Sequence, residues 1–582
     1  MAVANRIVPT DQNPDLASYN VLIEGSEVSR KYHIVSILIQ QEINKIPAAQ
    51  IMIVDGSPDA QDFRISDSDD FIPGKKIEIK FGYHNENKTV FKGIVITNTH
   101  KVNNNCAEFN IECKDETIKM TVNRSNRHFN DILDSEVAEK LLDDNKISGV
   151  SVSRSSVKHE QLVQSNITDW DFMISRIDVN GMICVIDNSQ LTIRKPSPDD
   201  DAKLGLTYGA DMLEFHADMD ARLQTSSVRT MTWDFKKQQV QTAESEDPGV
   251  KEEGNFTTSN LAAVNDQPFE MRTPAPMTQD EQQAVTNARK LRQAFSKIKA
   301  KVKYQGVTTV LPGDFITING VGKNFNGKAF VSALQHEFAD GDWVTEATLG
   351  WNEQFFAEQT SPNQAASATG QSSSVQGLQT AVVTGITDSG GEYRVKIRLP
   401  LVNDQDDGIY ARVATLDAGD KRGSFFRPEV NDEVVVGFMN NDPRHPVILG
   451  MLHSSAKSAP LEPESANPKK GYVSRSGIKL IFNDDESSVR IETPGSRVFE
   501  LNDNAGSITV QDSDGNKIVI DSGGVTLEAA QDLTIKGGSS VSISAPQISI
   551  KADGTMSVEG SGSVSVSSSG IAELKGSLVK IN

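Results

Sequence analysis

A repeat of paired apolar residues in the last 60 or so residues constrains the fold more than any other feature of the sequence. The members of each pair are separated by one residue, and successive pairs begin eight, eight, seven, eight and eight residues apart. Alternate residues of a strand point to the same face, so each pair predicts a short strand and each gap rich in Gly, Ser, Asp or Lys predicts a turn. The pairs are Val525 and Leu527, Leu533 and Ile535, Val541 and Ile543, Ile548 and Ile550, Met556 and Val558, and Val564 and Val566.

Strands of this size cannot bury an apolar face within one short segment, so the repeats must stack or associate with other chains. Two inward residues per turn are too few for a single-chain β-helix, whose coils have about 20 or more residues. Three chains that each supply one side would close a slender prism, with every backbone edge covered by another chain. We therefore expect a trimeric needle whose core comprises these paired residues. A disordered tail has no need for such regular Val and Ile.

The charge and cysteine content exclude several classes of protein. The chain has 58 Lys and Arg against 79 Asp and Glu, and this net charge of −21 repels nucleic-acid phosphates and anionic lipids. Cys106, Cys113 and Cys184 are too few for a disulfide framework and indicate a reducing compartment. The first residues lack a secretory signal, and no run approaches the ~20 apolar residues that span a bilayer. We expect synthesis in the cytoplasm, export by another route and no nucleic-acid partner.

Two linkers of low apolar content separate three regions. Residues 357–377 are rich in Ser, Ala, Gln and Gly, and residues 454–470 are rich in Pro. The region between them, 378–453, predicts a five-stranded Greek-key barrel such as an OB-fold. Its expected strands are Thr380–Ile386, Tyr393–Leu399, Ile409–Ala414, Glu433–Phe438 and Pro446–Leu449.

The N-terminal region, residues 1–356, predicts a β-rich structure with a few helices. Apolar spacing predicts helices over Phe129–Leu142 and after Thr168, the second ending at Gly181. The capping-box sequence Thr278–Glu281 predicts another helix, and the polar residues 238–268 predict an exposed arm. Six segments predict a small antiparallel sheet or barrel: Tyr19–Ile23, His33–Gln40, Gln50–Val54, Lys76–Phe81, Val90–Thr97 and Ala107–Cys113.

Five sequence blocks of the barrel region together resemble the OB-fold of the VgrG family. They occur in order within about 60 residues, as Glu392–Pro400, Gly408–Val413, Phe426–Glu429, Asp432–Phe438 and Asp442–Gly450. Residues Gln164–Gly181 and Leu311–Gly350 are similar to parts of the phage-hub-like region of that family. VgrG proteins resemble the hub and spike of contractile phage tails fused in one chain.

The resemblance implies a mainly β, multidomain homotrimer. Its parts would be two phage-hub-like β-barrel domains with helical insertions at 1–356, the OB-fold at 378–453, and an intermolecular β-helix at 471–582. Such a spike would dock onto a hexameric, Hcp-like tube protein, contact baseplate proteins and puncture a target envelope to deliver effector cargo. It would be assembled into a contractile injection apparatus and ejected from the cell.

The resemblance also implies a PAAR-type tip protein at the end of the needle. Some phage spikes carry an apical His-x-His metal site, whereas none of the nine histidines here follows His453. The expected tip-docking residues are Leu578, Val579, Lys580, Ile581 and Asn582.

No motif predicts catalysis, a cofactor or a metal site. The sequence Gly320–Asn324 lacks the glycine and hydroxyl of a phosphate-binding loop, because Thr317 and Asn324 occupy those places. His159 and His336 each precede a Glu but lack the second His of a zinc motif. About 20 linker residues before the needle are too few for a lysozyme-like domain, and we expect no effector domain after the needle.

Several alternatives stay open. The same spike role fits a type VI secretion system or a free, phage-tail-like extracellular particle, and the sequence does not separate these two. An extracellular β-helix enzyme acting on polysaccharide would need aromatic sugar platforms, and no Phe, Tyr or Trp follows Gly506. An adhesin stalk would need a signal peptide and a head domain.

Overall fold

A computed structural model describes most of residues 16–581. Outside the described residues lie positions 1–15, 30, 58, 60, 104–106, 223, 235, 236, 238, 251–253, 255–260, 263, 265, 266, 274–276, 360–374, 376, 442 and 582, and the side chains at 161, 163, 165, 233 and 440. Cys106, Asn582, most of the first linker and part of the 238–268 arm therefore lie outside the description. The chain divides into two units, Met1–Gln376 with Phe438–His445, and Gly377–Gly437 with Pro446–Asn582.

The first unit, here called the hub, is mainly β. Its described helices are α1 (Asp134–Asp144), α2 (Asp169–Asp178), α3 (Gln279–Phe295) and α4 (Phe356–Gln359). Its described strands are β1 Ala17–Ile23, β2 Ser26–Glu27, β3 His33–Glu42, β4 Ala48–Val54, β5 Lys76–Tyr83, β6 Glu86–Val102, β7 Ala107–Lys114, β8 Arg124–Leu133, β9 Val150–Val152, β10 Lys158–Thr168, β11 Ile183–Asp187, β12 Gln190–Arg194, β13 Ala202–Thr207, β14 Met212–Met219, β15 Val228–Asp234, β16 Gln239–Glu244, β17 Phe269–Thr273, β18 Ile298–Gln305, β19 Phe315–Asn319, β20 Gly327–Ala339 and β21 Asp342–Leu349.

One 13-stranded sheet runs through the hub. Its order is β14-β18-β21-β20-β3-β4-β7-β6-β5-β1-β2, with β19 and β13 branching from β20. The six predicted N-terminal strands are confirmed as β1, β3, β4, β5, β6 and β7. The two β regions expected in the hub are thus hydrogen-bonded into one sheet, through the antiparallel pairing of β3 with β20. Each half keeps a separate apolar core, one around β1–β7 and one around β13 and β18–β21.

Two helix starts follow their sequence signals. The Thr168 hydroxyl accepts the backbone N–H of Asp171 at 3.0 Å, and α2 begins at the next residue. The Thr278 hydroxyl accepts the N–H of Glu281 at 3.2 Å at the start of α3. Gly181 has a φ of +69°, the left-handed conformation in which a helix stop favours glycine. Both predicted starts and the Gly181 stop are confirmed.

Two other predictions in the hub were wrong in part. The segment Phe129–Leu142 is a strand up to Leu133 and becomes helical only in α1, because β8 pairs with β10 and buries Phe129 and Leu133 on one face. Within the predicted 238–268 arm, β16 pairs with β15 and buries Ala243. In both segments, strand pairing overrides the local sequence signal, with the later strand β10 in the first case and with the adjacent strand β15 in the second.

A buried ion pair fixes the end of the hub. The Arg292 guanidinium of α3 pairs with Asp178 of α2, and both side chains are at most 2% exposed. The same guanidinium donates to the carbonyls of Asn352 and Gln354 at 2.7 Å each and lies 4.2 Å from the Trp351 ring centroid. Burial lowers the pKa of Arg292 to about 9. These contacts hold the segment that leads from the last hub strand into α4.

The second unit begins with a closed barrel of order β22-β23-β24-β28-β27. Alternate residues of these strands, among them Val383, Ile397 and Val436, are fully buried inside it. The predicted five-stranded barrel is confirmed, although the ends of most strands differ from the prediction by one or two residues. Their bounds are β22 Gln379–Gly385, β23 Val395–Arg398, β24 Ile409–Val413, β27 Glu433–Phe438 and β28 Pro446–Met451, with a small hairpin of β25 Ala418–Gly419 and β26 Arg422–Gly423.

An antiparallel meander of seven strands follows the barrel in sequence. Its strands are β29 Lys469–Val473, β30 Lys479–Asn483, β31 Ser488–Glu492, β32 Val498–Asn502, β33 Ser507–Gln511, β34 Lys517–Asp521 and β35 Gly524–Glu528. Residues 529–581, all of which are described, form no helix or strand within one chain. Among the described helices of the whole chain, none has the length and apolar character to cross a membrane.

Candidate assembly surface

The meander presents an unusual face. Each strand from β30 to β35 places two apolar side chains on the same side of the sheet, and the register aligns them into two rows. We call this set the apolar ladder. Its members are Leu480, Phe482, Val489, Ile491, Phe499, Leu501, Ile508, Val510, Ile518, Ile520, Val525 and Leu527.

The apolar ladder is open to solvent in a single chain. All of its members except Val489 are between 36% exposed, at Leu480, and 68% exposed, at Val525. Burying the remaining area of each half-exposed side chain is worth about 1 kcal/mol, or roughly 10 kcal/mol per chain. A free-energy gain of that size is available only if another surface covers the ladder.

The opposite face of the meander is mostly polar. Arg490, Glu500 and Thr509 follow one another across three adjacent strands. Arg490 lies 2.9 Å from Glu500, and the guanidinium also contacts Glu492 on its own strand at 3.2 Å. The sheet therefore has one face suited to water and one suited to an apolar partner.

The first part of this surface lies outside the predicted repeat, although it carries a sequence signal of its own. The same pairing of apolar residues around one intervening residue starts at 480, 489, 499, 508 and 518, before the regular repeat begins at Val525. These intervals of nine or ten residues are longer than those of the later repeat, because hairpin turns in the meander join successive strands. The spacing within each pair was the available signal.

The predicted needle-core residues lie at the end of the ladder and beyond it. Val525 and Leu527 belong to β35, and they are 68% and 53% exposed. The other ten lie in residues 529–581, where the expected short strands do not form within one chain. These ten are Leu533, Ile535, Val541, Ile543, Ile548, Ile550, Met556, Val558, Val564 and Val566.

None of these twelve residues is buried in the described chain, whereas a residue of a protein core must be buried. The second member of each later pair is the more exposed one. Ile535 is 64% exposed, Ile543 67%, Ile550 68%, Val558 64% and Val566 86%, whereas the first members range from 51% at Ile548 to 59% at Leu533. The physical reason is that a slender segment without strand pairing has no second layer of its own to cover an apolar side chain. A core made by one chain is therefore excluded here, and a core shared by three chains stays a prediction.

The predicted tip-docking residues are likewise uncovered in one chain. Leu578, Val579, Lys580 and Ile581 are exposed, and Asn582 lies outside the description. Their docking role stays a prediction.

The described residues that were considered for chemistry lie at buried or turn positions. Cys113 and Cys184 are buried free thiols; burial raises the pKa of Cys113 to about 12 and raises the pKa of Cys184 further. The His159 ring contacts Asp134 at 2.9 Å, and the His336 ring contacts the Thr345 hydroxyl at 2.8 Å. Gly320–Asn324 forms a turn between β19 and β20. No cluster of three His, Cys, Asp or Glu residues suited to a metal occurs in the described part of the chain.

Three protein-family models match the chain. The model described as Alg8 N-terminal domain matches residues 13–340. The model described as type VI secretion system/phage-baseplate injector OB domain matches residues 379–453, which include the closed barrel. The model described as phage baseplate V C-terminal trimerisation domain matches residues 488–557, which include most of the apolar ladder.

Curated relatives match over short segments. The chain is 31% identical over 121 residues to the type VI secretion system spike protein VgrG1a of Pseudomonas aeruginosa, which is 19% of each protein. It is 35% identical over 96 residues to VgrG5 of the same species, covering 15% of this chain and 12% of that protein. The chain thus spans about a fifth or less of the length of these relatives.

Solved structures show a distant likeness of fold. A prophage 43 kDa tail protein from Shewanella oneidensis has a TM-score of 0.45 and 12% identity, covering 58% of this chain and 99% of that one. The E. coli c3393 protein, described as a type VI secretion component similar to phage T4 gp27 and gp5, has a TM-score of 0.36 and 12% identity, covering 74% and 99%.

The barrel and the trimerisation-domain match define an injector component of the class found in type VI secretion systems and phage baseplates. The chain belongs to the VgrG family of spike proteins, and through its N-terminal half it belongs to the family described as Alg8 N-terminal domain.

Proposed function

We propose that three copies of this chain form the spike and hub at the tip of a contractile injection apparatus. The observation that carries the proposal is the apolar ladder, which lies on a fully hydrogen-bonded sheet yet has no cover within the described part of its own chain. The match of residues 488–557 to a trimerisation domain supports three copies as the cover.

The ladder and the later pairs would form one continuous apolar core. Three meanders, each with one apolar face, close into a prism when the three faces turn inward and the polar faces turn outward. The pairs from Leu533 to Val566 would extend that prism into the needle. A closed three-chain prism has no free sheet edge along its length, which makes it stiff enough to lead a tube through an envelope.

The hub would dock onto a hexameric, Hcp-like tube ring. The two halves of the hub sheet, each with its own core, supply two β units per chain. Three copies of two units present six units, which suits a sixfold ring better than three alone. Baseplate proteins would contact the outside of this hub.

We place a PAAR-type tip protein on Leu578–Asn582, with effector cargo travelling alongside the spike. The apolar members Leu578, Val579 and Ile581 are between 50% and 86% exposed in one chain. The spike acts by docking and puncture, and we expect no turnover of a substrate. Whether the apparatus is a type VI secretion system or a free particle is decided by the neighbouring genes, which encode membrane-complex components in the first case and tail-fibre components in the second.

Reconstitution with the tube protein tests the proposed role. The purified full-length chain is mixed with the hexameric tube protein encoded near it, and the mass of the complex is measured by light scattering. We expect three spike chains bound to one hexamer. If the spike does not bind the tube hexamer, the proposed docking role is wrong.

A further inference from the structure

We infer that a hairpin of the barrel forms a second contact between copies of this chain, separate from the apolar ladder. The contact hairpin comprises Thr415–Phe426, which includes β25 and β26. The inference rests on the trimer proposed above and adds a surface to it. It follows from the rigidity of the hairpin, its exposed apolar residues and its position beside the meander.

The contact hairpin is held in one conformation. The backbone N–H of Ser424 donates to the carbonyl of Asp417 at 2.9 Å, and Arg422 pairs with the Asp417 carboxylate at 2.9 Å. Gly423 has a φ of +128°, and a Cβ at this position would lie 2.3 Å from the Asp417 carbonyl oxygen. Only glycine fits there, so the backbone is specified closely for an exposed loop.

This rigid hairpin displays large apolar side chains to solvent. Leu416 is 97% exposed, Phe425 is 75% exposed and Phe426 is 51% exposed. The barrel core is complete without them, since Val383 and Ile397 are fully buried. Large exposed apolar side chains close together in sequence, with aromatic members, are typical of protein-protein contacts.

The position of the hairpin indicates which molecule contacts it. The Phe426 ring lies 4.9 Å from the ring of Tyr472 in β29. Tyr472 pairs directly with Leu480, the first member of the apolar ladder, and therefore extends the same face. Arg475 also contacts Glu429 at 3.0 Å, which joins the hairpin side of the barrel to the start of the meander.

The exposed apolar surface thus runs from the ladder through Tyr472 to Phe426, and Leu416 is a further exposed apolar residue of the same hairpin. A second copy of this chain that covers the ladder also reaches the start of the meander, where the hairpin stands. We therefore assign the hairpin to the neighbouring copy in the trimer, rather than to a tube, tip or cargo protein.

Site-specific photo-crosslinking of the full-length chain tests this contact. A photoreactive phenylalanine analogue is placed at position 416 in one sample and at position 401 in the control. Leu401 is 94% exposed and belongs to a different loop of the same barrel, so the two positions match in exposure. We expect irradiation to link chains to one another from position 416 several-fold more than from position 401.

The outcomes separate the two proposals. A chain that is trimeric by mass but links no more from position 416 than from position 401 would overturn the hairpin contact and leave the trimer standing. A monomeric chain would overturn both.

Discussion

The hub and the meander use the same kind of strand but bury it differently. In the hub, Ile37, Ile39 and Ile53 lie on the core side of their strands and are fully buried within one chain. In the meander, Ile508 and Ile518 also lie on one apolar side of their strands, yet they remain 38% and 41% exposed. The hub therefore forms its apolar core within one chain, whereas the meander and the needle form an apolar core only when chains associate. Their stability should therefore depend on chain concentration, and that of the hub should not.

The largest expected effect comes from a charge on the apolar ladder. Ile508→Lys should abolish the trimer, because three ammonium groups would be buried together without partners. Thr509→Lys is the matched control, since it adds the same charge one residue away on the opposite face, beside Glu500. Sedimentation of both full-length variants gives the result. Equal trimer content in the two variants would mean that the apolar face of the meander is no more important for assembly than its polar face.

The second largest effect should come from the hub and should leave the trimer intact. Arg292→Ala leaves Asp178 buried without its partner, and we expect the free energy of unfolding of the hub to fall by about 3–5 kcal/mol. Arg222→Ala, which breaks an exposed pair with Asp220, should leave the hub midpoint unchanged. Denaturant unfolding of the variants, monitored by hub tryptophan fluorescence, measures both. Similar losses of unfolding free energy in the two variants would mean that burial of the Arg292–Asp178 pair does not determine its contribution to stability.

A pH dependence should also separate the two regions. Burial lowers the pKa of His336 to about 4 from 6.5, so the unfolded state binds its proton first as the pH falls. Above pH 6.5 the neutral His336 costs the hub no stability. As the pH falls from 6.5 towards 4, the free energy of unfolding of the hub should fall by about 3 kcal/mol because of this pKa difference. His336→Gln should flatten that part of the hub stability curve. An unchanged slope in the variant would assign the acid sensitivity to other groups.

The smallest expected effect is the loss of a helix cap in the hub. Thr278→Ala removes the hydroxyl that accepts the N–H of Glu281, and we expect a loss of about 1 kcal/mol of hub stability. Thr278→Ser keeps the acceptor and should restore most of that loss. Thermal unfolding of the two variants measures the difference, and assembly of the needle should not change in either.

Local signals in the sequence predicted much of this architecture. The Thr168 and Thr278 caps, the Gly181 stop and the barrel strands follow from hydrogen-bonding groups or alternation within a short segment. The helix prediction failed over Phe129–Leu133, where a strand forms because β10, later in the sequence, pairs with β8.

The upstream half of the assembly surface was missed for a related reason. Its pairs, such as Ile508 and Val510, have the same internal spacing as the needle repeat, but turns of variable length separate them. The buried polar contacts of α3, above all that between Arg292 and Asp178, carry no sequence signal, because they join residues 114 positions apart.

The solution mass of the full-length chain tests the central claim most directly. If the apolar ladder is covered by two further copies, light scattering should give three times 63.3 kDa, about 190 kDa, over a wide range of concentration. A stable species of 63.3 kDa, with the strand content of the meander intact, would show that one chain can leave the ladder open. That result would contradict a needle that forms by association of three chains, and it would also contradict the proposed spike function.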